Sequence, residues 1–195
     1  MTSEPTPVPA SAAASSQLGT FRHELGTVGK QATRADLQRL VERARELGLR
    51  EQDVLEELAE IRMSLEALDL RERIAREGLP VVASLNPLPP NDRCHFVTPV
   101  RFGRRRGDQI GHLELTSGWV KFRGALDLSV VWTEVAGVER DGHDIIVSLV
   151  DSRRVLRFSC HALEEAAHGA VVAQHLACGM ASQALFSNPR YLSAL

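Results

Sequence analysis

The sequence is poor in several things, and each shortage excludes something. It holds three cysteines in 195 residues, Cys94, Cys160 and Cys178. An odd, sparse set gives no disulfide framework and suits a reducing compartment. Aromatic residues make up 5% of the chain, with a single tyrosine. Neither sign of charge dominates: 23 Lys and Arg stand against 25 Asp and Glu, a net charge of −2. That balance argues against binding nucleic acid through bulk charge. No apolar run approaches the roughly 18 to 20 residues of a transmembrane helix. The chain begins Met-Thr-Ser-Glu, without a basic region followed by an apolar one, without Gly at position 2, and without a prenylation cysteine at its end. The expected address is therefore cytoplasmic. What is present is ordinary globular composition, 44% hydrophobic and 25% charged, enough for one small domain beside a helical segment.

The chain changes character along its length. Residues 2–20 are almost all Thr, Ser, Pro, Ala and Gly, with Glu4 the one charge. Such a composition offers little apolar area against its ordering entropy, so 1–32 is expected to be a disordered tail. Gly29-Lys30 superficially suggests a phosphate loop, but Glu24 sits where its first glycine belongs and Gln31 replaces the Ser/Thr, so it is rejected. Over 33–78 a helical hairpin or short coiled coil is predicted. Thr33 can N-cap the first helix, Gly48 marks a turn, and Gly78 closes the second helix. Val54, Leu58, Ile61, Leu65 and Leu68 are spaced 4-3-4-3, a short heptad seam and a candidate interface for self-association. Residues 79–92, with four prolines, are an extended connector ending in a turn.

From residue 93 the period becomes two. Phe96, Thr98, Val100 and Phe102 share one face; Leu113 and Leu115 alternate with Ile110, His112 and Glu114; Val120 and Phe122 alternate with Lys121 and Arg123. Further short strands follow through Leu128, Val130 and Trp132, Val135–Glu139, Ile145–Leu149 and Leu156–Cys160, seven in all. His161 to about Ala184 is an alanine-rich helix suited to close packing, and 186–195 is a tail.

Gly111-His-Leu113-Glu-Leu115-Thr116, followed by Val120-Lys-Phe122-Arg-Gly124, resembles a pattern of GRAM and bacterial pleckstrin-homology (PH)-like domains. The resemblance covers about 90–185. It implies an α+β fold over 93–185: a seven-stranded, bent antiparallel PH-like barrel capped by a C-terminal helix, here preceded by an N-terminal helical hairpin. It further implies a non-enzymatic module that binds membrane lipids, peptides or proteins.

The densest charge is Arg101-Phe-Gly-Arg104-Arg105-Arg106, in the connection between the first two strands, where PH domains dock phosphoinositide headgroups. Guanidiniums in such a cluster can hold phosphate or carboxylate bidentately. Lys121 and Arg123 point away from the core and extend the candidate binding set. Against a headgroup site, the basic-x-Arg pair of the phosphoinositide pattern is His112-Leu-Glu114 here, and a carboxylate repels phosphate. Residues 90–160 carry 11 basic and 9 acidic side chains, a net of +2 and a weak driver of membrane association. Trp119, after the Ser-Gly turn, is a candidate contact residue. Arg106-Gly107-Asp108 is read as a turn. Cys94-His95 and Cys160-His161 cannot chelate locally, because neighbours on a strand point to opposite faces. His161, His168 and His175 recur every seven residues, about 10.5 Å apart on one helix face, too far to share an ion. No metal, cofactor or catalytic site is expected. The expected partner is a protein or an anionic lipid headgroup, met in the cytoplasm or peripherally at the inner membrane face. The alternative is a structural scaffold that oligomerises through the N-terminal helices without binding lipid.

Overall fold

A computed structural model of the chain describes residues 10–28, 32–103, 109–150 and 154–187. It divides into two compact units, residues up to Leu68 and residues from Asp69 onward.

The first unit is helical. Helix α1 spans Ala10–Val28, α2 Arg34–Glu46 and α3 Glu51–Glu77, the last turns of α3 belonging to the second unit. Thr33 caps α2 as expected: its Oγ1 accepts from the Asp36 N–H at 3.2 Å, and the Thr33 N–H donates to Asp36 Oδ2 at 3.0 Å, a reciprocal capping box. Gly48, at φ +68°, turns the chain between α2 and α3, a conformation that favours glycine.

Helix α1 lies where a disordered tail was expected. Its Phe21 is fully buried among Leu40, Ala44, Val54, Leu58 and Ile61, with Leu18, Leu25 and Val28 packed on the same core. The spacing 18-21-25-28 is helical, and it outweighs the Ser/Thr/Pro/Ala composition just before it. This core also takes up the expected interface. Val54 and Leu58 are 2% exposed, Ile61 is buried and Leu65 packs alongside, whereas Leu68 is exposed. The heptad seam has found its partners within the unit, because α1 supplies the third apolar face. Arg22–Glu57 and Arg43–Glu24 pair α1 with α3 and α2 at 2.7 and 3.0 Å, but exposed pairs like these add little stability.

The second unit is the seven-stranded antiparallel sheet and helix that the resemblance implies. The strands are β1 Cys94–Phe102, β2 Gln109–Thr116, β3 Trp119–Gly124, β4 Leu128–Val131, β5 Val135–Asp141, β6 Asp144–Leu149 and β7 Val155–Cys160, followed by α4 Leu163–Ser187. Their order is β4-β3-β2-β1-β7-β6-β5. The sheet is not closed into the expected barrel: β4 and β5 are its edges, joined in sequence by a 3₁₀ turn, Trp132–Glu134. Trp132, read from sequence as part of a strand, sits in that turn and donates its indole N–H to the Thr116 carbonyl at 2.8 Å.

The inner face carries Phe96, Leu113, Leu115, Val120, Phe122, Ile145, Val147 and Phe158, all buried. Phe102, Phe122 and Phe158 stack near one end, with centroids 5.0 and 5.1 Å from Phe102. Ala166, Ala170 and Ala173 of α4 complete this core. At Gly169 a methyl group would lie 2.6 Å from Ile145 Cδ1 and 2.7 Å from the Phe96 ring, so glycine lets the helix approach the sheet. Leu70 and Ile74, from the end of α3, are buried in this unit too. There Arg71 donates to Gln174 at 2.9 Å, and Gln174 to the Val138 carbonyl at 3.0 Å.

Candidate functional site

Strand register sorts the outer face of the sheet into rows. Val97, Glu114 and Lys121 are Cα partners across β1, β2 and β3; Pro99, His112 and Arg123 form the next row; Arg101 pairs Ile110 on one side and Ser159 of β7 on the other. The first row is covered and the other two are largely open.

The cover is the proline-rich connector. The Val82 N–H donates to the Cys94 carbonyl at 2.9 Å. Ser84 Oγ and the Leu85 N–H donate to Glu114 Oε1 at 3.0 and 2.7 Å. His95 bonds the Pro80 carbonyl through Nδ1 at 2.6 Å and Ser117 Oγ through Nε2 at 2.9 Å. Asp92, at the connector's end, accepts from the Gly118 N–H at 3.1 Å and pairs with Lys121 Nζ at 3.5 Å. Glu114 is fully buried, with its Oε2 unpartnered. A proline-rich segment suits this task, since it loses less chain entropy on being fixed and brings fewer N–H groups that need partners.

Beyond the connector the outer face opens into a shallow groove of about 550 Å³, lined by Pro99, Arg101, Ile110, Ser159, Cys160 and His161. Arg101 is exposed and Ile110 is 75% exposed. The groove forms because β1 and β7 pair over three residues, Val100–Phe102 against Phe158–Cys160, and then part. Pro99, at the parting, has no N–H to extend that ladder.

The candidate binding residues therefore divide. Arg101 stands on the open face. Arg104, Arg105 and Arg106 fall outside the described residues. Lys121 is on the outer face, as its alternation predicts, but is buried beneath the connector and neutralised by Asp92. The connector, whose path the strand pattern does not encode, covers it. Arg123 is half-buried and pairs with Asp127 at 3.1 Å. Trp119 is half-buried at the start of β3. Sequence reasoning missed Ile110, Pro99 and His161 as surroundings of Arg101. The signal for Ile110 was there, an apolar residue on the opposite parity from Leu113 and Leu115.

The thiols do not form a site. Cys160 pairs with Val100, six residues from Cys94 along β1, roughly 20 Å at strand rise. Burial pushes the Cys160 thiol up to about 12, with Glu165 and Asp144 adding to the effect, and burial also raises Cys94. Only the thiolate is nucleophilic. The native protein should therefore expose one fast-reacting thiol to a disulfide reagent at pH 8, the exposed Cys178, and three after denaturation. Fast native labelling of Cys160 would show that the groove floor opens.

No protein-family model matches the chain, and no curated protein matches it. Among solved structures it is similar to the Vps36 N-terminal PH domain, at 12% identity over 52% of this chain and 93% of that one, TM-score 0.44. It is similar to the C-terminal domain of an unknown protein from Leishmania infantum, at 13% identity over 56% and 96%, TM-score 0.36. It is also similar to the linker-DH/PH domains of p115-RhoGEF, at 11% identity over 84% of this chain and 54% of that chain, TM-score 0.40. The chain thus spans about half the length of that last structure. Among the described residues, no helix is long and apolar enough to cross a membrane.

Proposed function

We propose that the chain is a non-enzymatic, cytoplasmic interaction module of PH-like fold that takes an acidic protein segment on the open part of its outer sheet face. Arg101 and the adjoining Arg104, Arg105 and Arg106 supply the cations, and Ile110 an apolar contact. The observation that carries the reading is the exposed Arg101–Ile110 pair at the rim of a groove, on a face whose other half the chain covers for itself. A groove favours an extended chain over a bilayer, which is met better by a convex, basic surface. The withdrawal of Lys121 and Arg123 into ion pairs weakens a membrane field further, since each basic side chain near an anionic surface contributes about 1 kcal/mol. The scaffold alternative loses its seam to the core of the first unit, where Leu55 and Leu68 are left as exposed apolar positions on α3.

The test is fluorescence anisotropy of a labelled peptide of alternating Glu and Leu, beside flotation with phosphatidylserine vesicles. The full chain should bind the peptide saturably and more weakly as salt rises. Arg101→Glu with Ile110→Ser should weaken binding at least about tenfold, the equivalent of about 1.4 kcal/mol. Vesicle binding without peptide binding would replace this reading with a membrane one. Peptide binding unchanged in the double variant would move the site elsewhere.

A further inference from the structure

The outer face does not end at the groove. Strand register carries the Arg101 row across the second half of the sheet. Arg101 pairs with Ser159 of β7, Ser159 with Asp144 of β6, and Asp144 with Asp141 of β5. Ser159 is itself part of the groove wall, so the groove opens toward these carboxylates. The next row runs from Arg157 through Ile146 to Glu139. Val138, Val147 and Phe158 are buried on the opposite face, which fixes the parity of these strands.

Charge changes sign along the rows. At the β1 end Arg101 is exposed and makes no ion pair among the described residues. On β5 and β6 three carboxylates, Glu139, Asp141 and Asp144, share the outer face with one guanidinium, Arg157. Arg157 pairs with Asp144 and, at 3.4 Å, with Asp141; it is committed, and Asp144 is satisfied by it. The Asp141 side chain is nevertheless 70% exposed. Glu139 is exposed and makes no ion pair among the described residues. Arg140, the neighbouring cation, stands on the opposite parity and donates to the Gly142 carbonyl. The carboxylates alone would name no partner. Their register with Arg101 on one open face does, because a uniformly acidic segment seated at Arg101 would meet repulsion at β5.

The separation sets a spacing. Arg101 on β1 lies three strands from Glu139 and Asp141 on β5, about 14 Å at the usual strand spacing. In an extended chain residues i and i+4 point to the same side and are also about 14 Å apart.

We propose that the segment taken by the Arg101 groove is bipolar: an extended stretch of a partner protein that sets a Glu or Asp on Arg101 and, four residues away, a Lys or Arg over Glu139 and Asp141. The inference rests on the reading of the groove as the seat of an acidic segment, and it adds the charge that selects among such segments. Complementary charge of this kind acts on partner choice more than on raw affinity.

The experiment is fluorescence anisotropy on the full chain with two labelled peptides of equal length. One alternates Glu and Leu; the other is the same peptide with one Glu changed to Lys, four residues from the first Glu. Bulk attraction to arginines would make the Lys peptide the weaker ligand. The proposal makes it the tighter one by about fivefold, the scale of one or two exposed ion pairs. Glu139→Lys should abolish that preference or reverse it, Asp141→Asn should reduce it, and Arg101→Glu should weaken both peptides. A Lys peptide that binds no tighter than the all-acidic one, or an advantage that survives Glu139→Lys combined with Asp141→Asn, would overturn the proposal. In either case binding of the all-acidic peptide that still depends on Arg101 would leave the groove reading standing. Binding of neither peptide would remove the groove reading and this inference together.

Discussion

Replacing Gly111 with alanine should destabilise the second unit by about 3 kcal/mol or more, at the upper end of what overpacking a core costs. Gly111 and Gly124 are Cα partners across β2 and β3, and the Phe122 ring lies over both. A methyl group at Gly111 would overlap the Arg123 carbonyl and come within 2.8 Å of two Phe122 ring atoms. The first obstacle is backbone and cannot rotate aside. At Gly124 a methyl would lie 2.8 Å from the Ile110 carbonyl and 3.0 Å from the same ring. This is the physical content of the G-x-L-x-L-T and V-x-F-x-G words: the glycines make the floor on which Phe122 rests, and Phe122 meets Phe102 and Phe158 to close that end of the core. Gly137 is the control, since a methyl there meets nothing within 4 Å; Gly137→Ala should stay within about 0.5 kcal/mol. Urea midpoints of the three proteins measure this. A Gly111→Ala midpoint equal to that of Gly137→Ala would contradict the packing.

Lys121→Ala should cost about 3 to 5 kcal/mol, the loss expected when one partner of a buried ion pair is removed. Its ammonium and the Asp92 carboxylate are 8% and 7% exposed and 3.5 Å apart, and Glu114, its partner across the ladder, is fully buried. Without the lysine, two carboxylates remain under the connector with no cation between them. The double variant Lys121→Ala, Asp92→Asn should recover part of the loss, and the difference is the coupling. The peptide affinity of whatever fraction of Lys121→Ala folds should match wild type. A stable Lys121→Ala with lost binding would return Lys121 to the site and place the connector off this face.

These two positions show where sequence was informative. The alternation of Leu113 and Leu115 with His112 and Glu114, and of Val120 and Phe122 with Lys121 and Arg123, settles which side of each strand faces the core, because strand side chains alternate strictly. Thr33, Gly48 and Gly78 mark helix ends, because caps are local chemistry. The connector's course was not legible: its hold on Glu114 and His95 joins residues 15 to 30 positions apart, and no local pattern encodes that. Hence Lys121 pointed outward as read, yet is buried. Helix α1 was missed for a different reason. Its small polar start hid four apolar residues at helical spacing, whose value depends on α2 and α3 lying alongside. For the heptad of α3, sequence gives a face that wants a partner without saying whether that partner is another chain or the same one.

We propose the open outer face around Arg101 as the binding surface. Its most direct test is backbone and methyl NMR mapping of the acidic peptide on the full chain. Shifts should concentrate at Arg101, Ile110, His112, Ser159 and His161, and leave Glu114, Lys121 and the connector unmoved. Shifts gathered on the connector or on the helical unit, with Arg101 and Ile110 silent, would contradict it.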